Sequence, residues 1–364
     1  MKKILFIAVA AMMATMSAEA QKIRTIDKDG QPVPYVSVMT TDAKYIGVTD
    51  IDGVLDDVKG ADTISVSHVA YKTKLYKVNG KSGSITLEDA DFGLPEIVVK
   101  KKPLVYVQTY YRAYFYDEEG GVFYYRAGLS DNTIDRAKKK VSASTSTASK
   151  AIYGIVKTLL NGLVGDKLDK NSQIKMRSVE ERIKEKGKDI KIKITDEGNG
   201  RKRITDFKGT IGYITDNKAT GQRRFTYDGH KMVNHKLEVQ GKDKQLKKRE
   251  AKDAKERNRE EADYILYRID DDGHCAPEDF IMSQLMTSFD KDNKEGKSIH
   301  NVYCVQVFTI ERAYVDKAEL KQKKKENKMK MTYQNIRQFE HAHNIPTLAP
   351  AIQQKLNELW KKNE

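Results

Sequence analysis

The chain is poor in everything that staples a fold or fixes a cofactor. Its 364 residues hold two cysteines, one tryptophan and seven prolines, so a disulfide-dense scaffold is excluded. No paired Cys-x-x-Cys and no His-Glu-x-x-His spacing is present, which removes the common zinc geometries. Neither the Gly-x4-Gly-Lys-Ser/Thr loop that cradles phosphates nor the Gly-x-Ser-x-Gly elbow that presents a serine nucleophile occurs. Long apolar runs are missing too. The longest, residues 4–13, falls short of the roughly 20 residues a bilayer span needs. It follows Lys2 and Lys3 and precedes Ala18-Glu19-Ala20, the charged, apolar and small-residue order of a secretory signal peptide over residues 1–20. Cleavage after Ala20 leaves a mature chain with no transmembrane span, exported to the periplasm.

What the chain has is charge. Lysine and arginine total 66 against 52 acids, a formal net charge of +14. Such a balance usually points to polyanions, but export excludes nucleic acid. The partners left are an envelope protein, a lipid or a glycan. The charge is uneven: residues 317–330 carry seven lysines against two glutamates, while residues 243–263 mix both signs and read as a solvated helix with i,i+4 pairs.

From residue 23 to 74, short β-type runs at 35–39, 45–49 and 63–69 alternate with Asp/Gly turns at 27–30 and 50–53. Strands every eight to twelve residues with such turns predict a small antiparallel sandwich. Asp29-Gly-Gln-Pro-Val-Pro34 leads into a strand, Gly47-Val-Thr-Asp-Ile-Asp-Gly53 makes a hairpin, and Val66-Ser-His-Val-Ala-Tyr71 closes the unit. In this order of features the chain resembles the carboxypeptidase regulatory-like domain, a transthyretin-like β-sandwich of exported proteins in Bacteroidetes-type bacteria. The resemblance covers residues 22 to about 90, a fifth of the chain, and implies a fold and an address but no catalytic residues. It departs from the family after Gly53, where Val54-Leu55-Asp56 replaces the usual aromatic. Leu94-Pro-Glu-Ile-Val-Val99 resembles the segment that follows this domain in TonB-dependent outer-membrane transporters, yet too few residues remain for a plug and a large barrel.

Beyond a basic linker at 100–104, residues 105–315 predict an antiparallel β-rich domain with inserted helices, and residues 316–364 a helical tail packing on it. The overall class is mainly β (α+β). Val105, Val107, Thr109, Tyr111, Ala113 and Phe115 share one face of a strand, and Tyr106, Gln108, Tyr110, Arg112, Tyr114 and Tyr116 the other. The first set suits a core. The tyrosine face suits either cross-strand pairing on a half-exposed sheet or a contact surface formed by Tyr106, Tyr110, Arg112, Tyr114 and Tyr116. A turn at 117–121 returns the chain as a partner strand at 122–127. Residues 142–149 read as a flexible polar entry, 150–165 and 179–188 as helices, and 190–194, 203–207, 210–215, 222–227, 264–269 and 301–310 as further strands. Residues 275–286 read as an apolar helix or loop, 290–298 as a turn-rich loop, and 333–341 and 350–361 as closing helices, the last burying Trp360.

Chemistry-bearing residues are scattered. His230 and His235 have no glutamate between them, His341 and His343 no third ligand, and Asp50-x-Asp52-Gly53 lacks the rest of a calcium loop. Cys275 and Cys304 leave two readings open. One is a disulfide closing about thirty residues, contributing about 3 kcal/mol. The other is two buried thiols on separate strands. No catalytic residue, cofactor or metal is expected. The reading is a non-catalytic cell-envelope binding or scaffolding protein at the periplasmic face of the outer membrane. One alternative is an envelope hydrolase or glycan-processing enzyme, in which His230, His274 or Glu278 meets another titratable group in a pocket within 105–310. A further alternative is an accessory of a TonB-dependent transporter.

Overall fold

A computed structural model describes residues 21–42, 44–58, 61–80, 82–92, 102–119, 121–138, 140–143, 148–153, 190–326 and 333–361. The signal-peptide reading, the Leu94–Val99 stretch, most of the 150–165 helix and the 179–188 helix lie outside these residues. The fold is mainly β, with several antiparallel sheets.

The N-terminal strands are β1 (Ile23–Ile26), β2 (Ser37–Thr40), β3 (Tyr45–Val48), β4 (Val54–Leu55), β5 (Thr63–His68), β6 (Tyr71–Lys77) and β7 (Gly83–Thr86). They form a three-stranded sheet, β4-β1-β7, and a four-stranded sheet, β3-β2-β5-β6. Between them pack Ile23, Val36, Val38, Ile64, Val66, Ile85 and Leu87, the inward positions of each alternating run. The Asp50–Gly53 stretch is a hairpin turn. Asp50 Oδ1 accepts the N–H groups of Asp52 and Val54 at 2.9 and 2.8 Å. Gly53 adopts φ +73°, and a Cβ there would lie 2.7 Å from the Thr25 carbonyl, so only glycine fits.

A third, eleven-stranded antiparallel sheet follows. Its strands are β8 (Leu104–Asp117), β9 (Gly121–Asp135), β10 (Lys140–Ala143), β11 (Ala148–Tyr153), β12 (Lys193–Gly198), β13 (Arg201–Asp206), β14 (Gly209–Asn217), β15 (Gln222–Asp228), β16 (Arg257–Arg268), β17 (Phe280–Asp292) and β18 (Ser298–Val315). The order is β10-β9-β8-β18-β17-β16-β15-β14-β13-β12, with β11 also on β9. The chain meanders from β12 to β18, and β18 then closes onto β8. Helices α1 (Gly229–Val239) and α2 (Asp243–Asp253) fill the β15–β16 connection, while α3 (Lys317–Glu326), α4 (Tyr333–Ala342) and α5 (Pro350–Lys361) form the tail. Asp228 caps α1, its carboxylate accepting the Lys231 N–H at 2.9 Å. No helix among the described residues is long and apolar enough to cross a membrane.

Three expectations need correction. Residues 275–286 are loop and a single 3-10 turn only as far as Asp279; from Phe280 they are β17, whose apolar residues face both ways because both sides of the sheet are covered. Residues 142–149 lie partly in edge strands, and Lys150 and Ile152 belong to β11, not to a helix. The largest correction concerns the tyrosine face. It is neither half-exposed nor free for a partner: Tyr106, Tyr110 and Tyr116 are fully buried, Arg112 and Tyr114 nearly so. One core joins Tyr110, Tyr114 and Tyr116 to Tyr264, Met282, Met286, Cys304 and Phe308 of the sheet, Tyr35, Met39 and Val69 of the sandwich, and Ile336, Ile352, Leu356 and Trp360 of the tail. The sandwich and the tail therefore lie side by side on this face. The other face carries its own core, with Val105, Val107, Tyr111, Phe225, Ile265, Val305 and Val307.

Candidate functional site

Arg223 and Arg224 are consecutive in a strand, so they point to opposite faces, and both are buried. Arg223 forms a bidentate pair with Asp216 across the β14–β15 ladder, at 2.6 and 2.8 Å. Arg224 reaches into the sandwich. Its guanidinium donates to the Tyr71 hydroxyl at 3.0 Å and the Pro32 carbonyl at 2.9 Å, and lies 3.5 Å from Asp27. Burial works against its charge, but Tyr71, Tyr264 and Asp27 outweigh it and raise its pKa. Asp27 also accepts the Asp29 and Gln31 N–H groups. Burial nonetheless raises its pKa, against the pull of Arg224. The hairpin turn adds a second tie, with Asp52 accepting from Tyr213 and Arg201 at 2.9 and 3.2 Å. Beneath the joint, His68 is buried edge-on against Tyr264, ring centres 4.5 Å apart. Burial, then the Arg224 charge, hold its pKa at about 3, so the ring stays neutral.

Beside this joint opens a cleft of about 580 Å³, walled by both modules. Gln31, Tyr71 and Asp89 come from the sandwich, and Asn199, Thr220 and Gln222 from the long sheet. Its carboxylates and its guanidinium are each held by a neighbour, while Lys218 lines the cleft from an exposed position. Asp216 holds Arg223, Asp27 faces Arg224, Asp29 accepts from Asn217 at 2.7 Å, and Asp89 pairs with Lys28 at 3.2 Å. What remains to meet a ligand is the Lys218 ammonium and a lining of amides, hydroxyls and aromatic edges.

A second cleft, about 620 Å³, lies on the other side of the sandwich. His300 Nδ1 sits 2.6 Å from Asp290, which holds the Asp290 carboxyl below its usual range. The His300 ring stacks on Tyr45 with ring centres 3.3 Å apart, and its Nε2 is buried without a hydrogen-bond partner. Glu260 lines the same cleft. Burial first, then Asp228 and Asp50, push its carboxyl up to about 7. A third cleft, about 650 Å³, separates the sandwich from the tail and is lined by Lys72, Asp91, Arg337, Glu340 and His341.

The structure assigns the expected contact residues to internal work. Arg112 donates to Glu340 at 3.0 Å, the Pro346 carbonyl at 2.6 Å and Gln306 at 2.7 Å. Tyr110 donates to Glu340 at 2.8 Å, and Tyr114 packs beside Cys304. Tyr106 bonds Asp131 at 2.6 Å and lies under Lys323 of α3. Tyr116 packs in the core shared with the sandwich and the tail.

Cys275 and Cys304 form no disulfide and are both buried, the second of the two readings. They belong to cores on opposite faces of the sheet, out of each other's reach. Burial pushes the Cys304 thiol up to about 12, so it is an inert core residue.

His230 lies 3.2 Å from Asp253 and near Glu261 and Arg249, but between α1, α2 and β16, away from the three clefts. Glu278 is buried beside Arg136 at 3.5 Å. His274 is exposed. With Asp270 and Asp272 it forms the one grouping among the described residues whose donor atoms fall within 4.8 Å of one another, on an exposed turn.

The residues that build the first cleft were not singled out from the sequence. One signal was available: two adjacent arginines inside a strand, Gln222-Arg-Arg-Phe-Thr-Tyr227, point to opposite faces, and a guanidinium on a covered face needs acceptors. No family model and no curated protein matches the chain. Among solved structures, that of lipovitellin is similar to part of it, with 9% identity and a TM-score of 0.27 over 59% of this chain and 26% of lipovitellin. That likeness is too loose to transfer anything.

Proposed function

We propose that this is a non-catalytic binding or scaffolding protein of the cell envelope, exported to the periplasm, and that its ligand occupies the cleft beside Arg224. The observation that carries the reading is the state of that cleft. Two modules wall it, its carboxylates and the Arg224 guanidinium are held by neighbouring groups, and what is left over is the Lys218 ammonium at the rim and hydrogen-bonding neutrals over aromatic edges. Such a surface suits a polar, largely uncharged chain such as a glycan. Calorimetric titration of the chain without residues 1–20 with soluble peptidoglycan fragments tests it. Saturable binding is expected, and Thr220→Arg, which fills the cleft from an exposed position, should remove it with melting unchanged. Binding that survives Thr220→Arg would place the ligand elsewhere.

The second cleft supports one other reading, an envelope hydrolase. A histidine oriented by Asp290 and a carboxyl raised to about 7 are acid–base partners in kind. Release of product from the same fragments, lost in His300→Asn, would favour it over the binding role.

A further inference from the structure

Five large hydrophobic residues are exposed among those described: Leu75, Ile194, Phe207, Val233 and Val239. Four of the five fall between residues 194 and 239, on β12, the β13–β14 hairpin and α1, toward the end of the long sheet where β12 is the last strand among the described residues. Three of these four are neighbours for identifiable reasons. Phe207 occupies the tip of the β13–β14 hairpin and is 53% exposed. The hairpin is clipped to α1, where Asp206 binds His235 and Lys208 binds Glu238. The Phe207 ring lies 5.4 Å from that of His235. Val239 follows His235 by four residues, one helical turn along the same side of α1. Met232 and His235 are buried on this side, and Val239, at the end of the helix, is 51% exposed. Ile194 pairs across the ladder with buried Ile204, two residues before Asp206, and is itself 45% exposed on β12, the last strand of the sheet among the described residues.

Lysines punctuate this apolar edge. Lys191, Lys193, Lys208 and Lys242 are exposed, and Lys236 is half-buried. The acids on the same elements are committed: Asp206 to His235, Glu238 to Lys208, Glu197 to Arg201 and Arg203, and Asp196 to the Gly198 N–H. An aromatic at a hairpin tip, with aliphatic neighbours and exposed lysines at 191, 193 and 242, matches the boundary between headgroups and acyl chains. There the rings and aliphatics enter while the ammonium groups stay at the phosphates. The other basic segment, α3, offers no exposed large hydrophobic residue and packs on β18, six strands and so roughly 30 Å from the β12 edge.

We infer that the Ile194–Phe207–Val239 edge is a docking surface for an anionic lipid bilayer, holding the protein peripherally and leaving the clefts around the sandwich free. The inference stands apart from the cleft reading, since neither uses the other's residues.

Co-sedimentation with vesicles of phosphatidylglycerol and phosphatidylcholine, against pure phosphatidylcholine, tests it. Binding is expected only to the anionic vesicles. The pair Phe207→Ser/Val239→Ser should weaken it about tenfold or more. The pair Lys193→Gln/Lys242→Gln should weaken it roughly thirtyfold at low salt. Removing Lys321, Lys324 and Lys325 of α3 should change it by less than about threefold, because charges that far off are screened. Melting curves check that each variant folds. Two outcomes would overturn the assignment. One is wild-type protein that ignores anionic vesicles. The other is binding that depends on the α3 lysines and not on Phe207 and Val239.

Discussion

The sandwich and the C-terminal tail cover the same face of the long sheet, and the sheet pins each with one buried arginine. The two pins share a chemistry. Arg224 gives its guanidinium to a backbone carbonyl, a tyrosine hydroxyl and a carboxylate of the sandwich. Arg112 gives its own to a backbone carbonyl and a carboxylate of the tail, with Tyr110 sharing that carboxylate. They differ in tightness: Glu340 is 3.0 Å from Arg112, whereas Asp27 is 3.5 Å from Arg224. They differ in surroundings as well. The tail adds a deep apolar plug through Ile352, Leu356 and Trp360, while the sandwich joint is flanked by clefts. A buried ion pair adds little net stability over a well-packed apolar replacement, but breaking one partner is severe. The arginines thus fix where each cover sits, and clefts open beside both joints, one between the sandwich and the long sheet at Arg224 and one between the sandwich and the tail at Glu340.

Arg112→Met should separate the two covers most sharply. It strands Glu340 and the Pro346 carbonyl and should cost about 3–5 kcal/mol. Trp360, the only tryptophan, is 2% exposed and reports on the tail directly. Its emission should shift to the red on denaturant titration before the rest unfolds. Arg224→Met should cost somewhat less, about 2–4 kcal/mol. It should raise hydrogen exchange in β5 and β6 while Trp360 emission stays put. Equal effects on both reporters would mean that the covers are not separately held.

Two titrations sharpen the comparison, because both groups belong to the sandwich side. His68 is held neutral, its pKa depressed to about 3 from 6.5. A depressed histidine has no effect above its ordinary pKa and destabilises the folded state as pH falls below it. By pH about 4 the loss should reach about 2–3 kcal/mol, and His68→Gln should remove that part of the acid sensitivity. Glu260 behaves in the opposite sense. Its carboxyl, raised from 4.5 to about 7, has no effect in acid, and the folded state loses stability as pH rises between those values. Glu260→Gln should therefore be the more stable form by about 1–2 kcal/mol above neutrality and equal to wild type near pH 4. Denaturant titrations across pH read both. At the small end, the α3 pair Lys323–Glu311 is partly exposed, and Lys323→Ala should lower stability by about 0.5 kcal/mol or less.

Period and punctuation made much of this fold legible. The Asp117–Gly121 turn, the alternation through β8, and α5 from Pro350 to Lys361 follow from local rules. Local rules failed where coverage is decided at long range. Nothing within residues 105–127 says that residues from both ends of the chain return over Tyr110 and Tyr114, so a buried face reads as a wet one. β17 failed for the same reason. A strand covered on both sides loses its alternation and becomes indistinguishable from an apolar helix. The cleft was less legible still, because its walls come from segments nearly two hundred residues apart and only the Arg223-Arg224 pair hinted at it.

The most direct test is a backbone amide-shift titration of the mature chain with a soluble peptidoglycan fragment, followed until the fragment's own resonances can be compared with those at the start. For a non-catalytic ligand cleft, perturbations should gather at residues 27–31, 89–92, 199–200 and 215–222, and the fragment should emerge unchanged. Perturbations centred on Glu260 and His300, with new fragment resonances growing in, would contradict it.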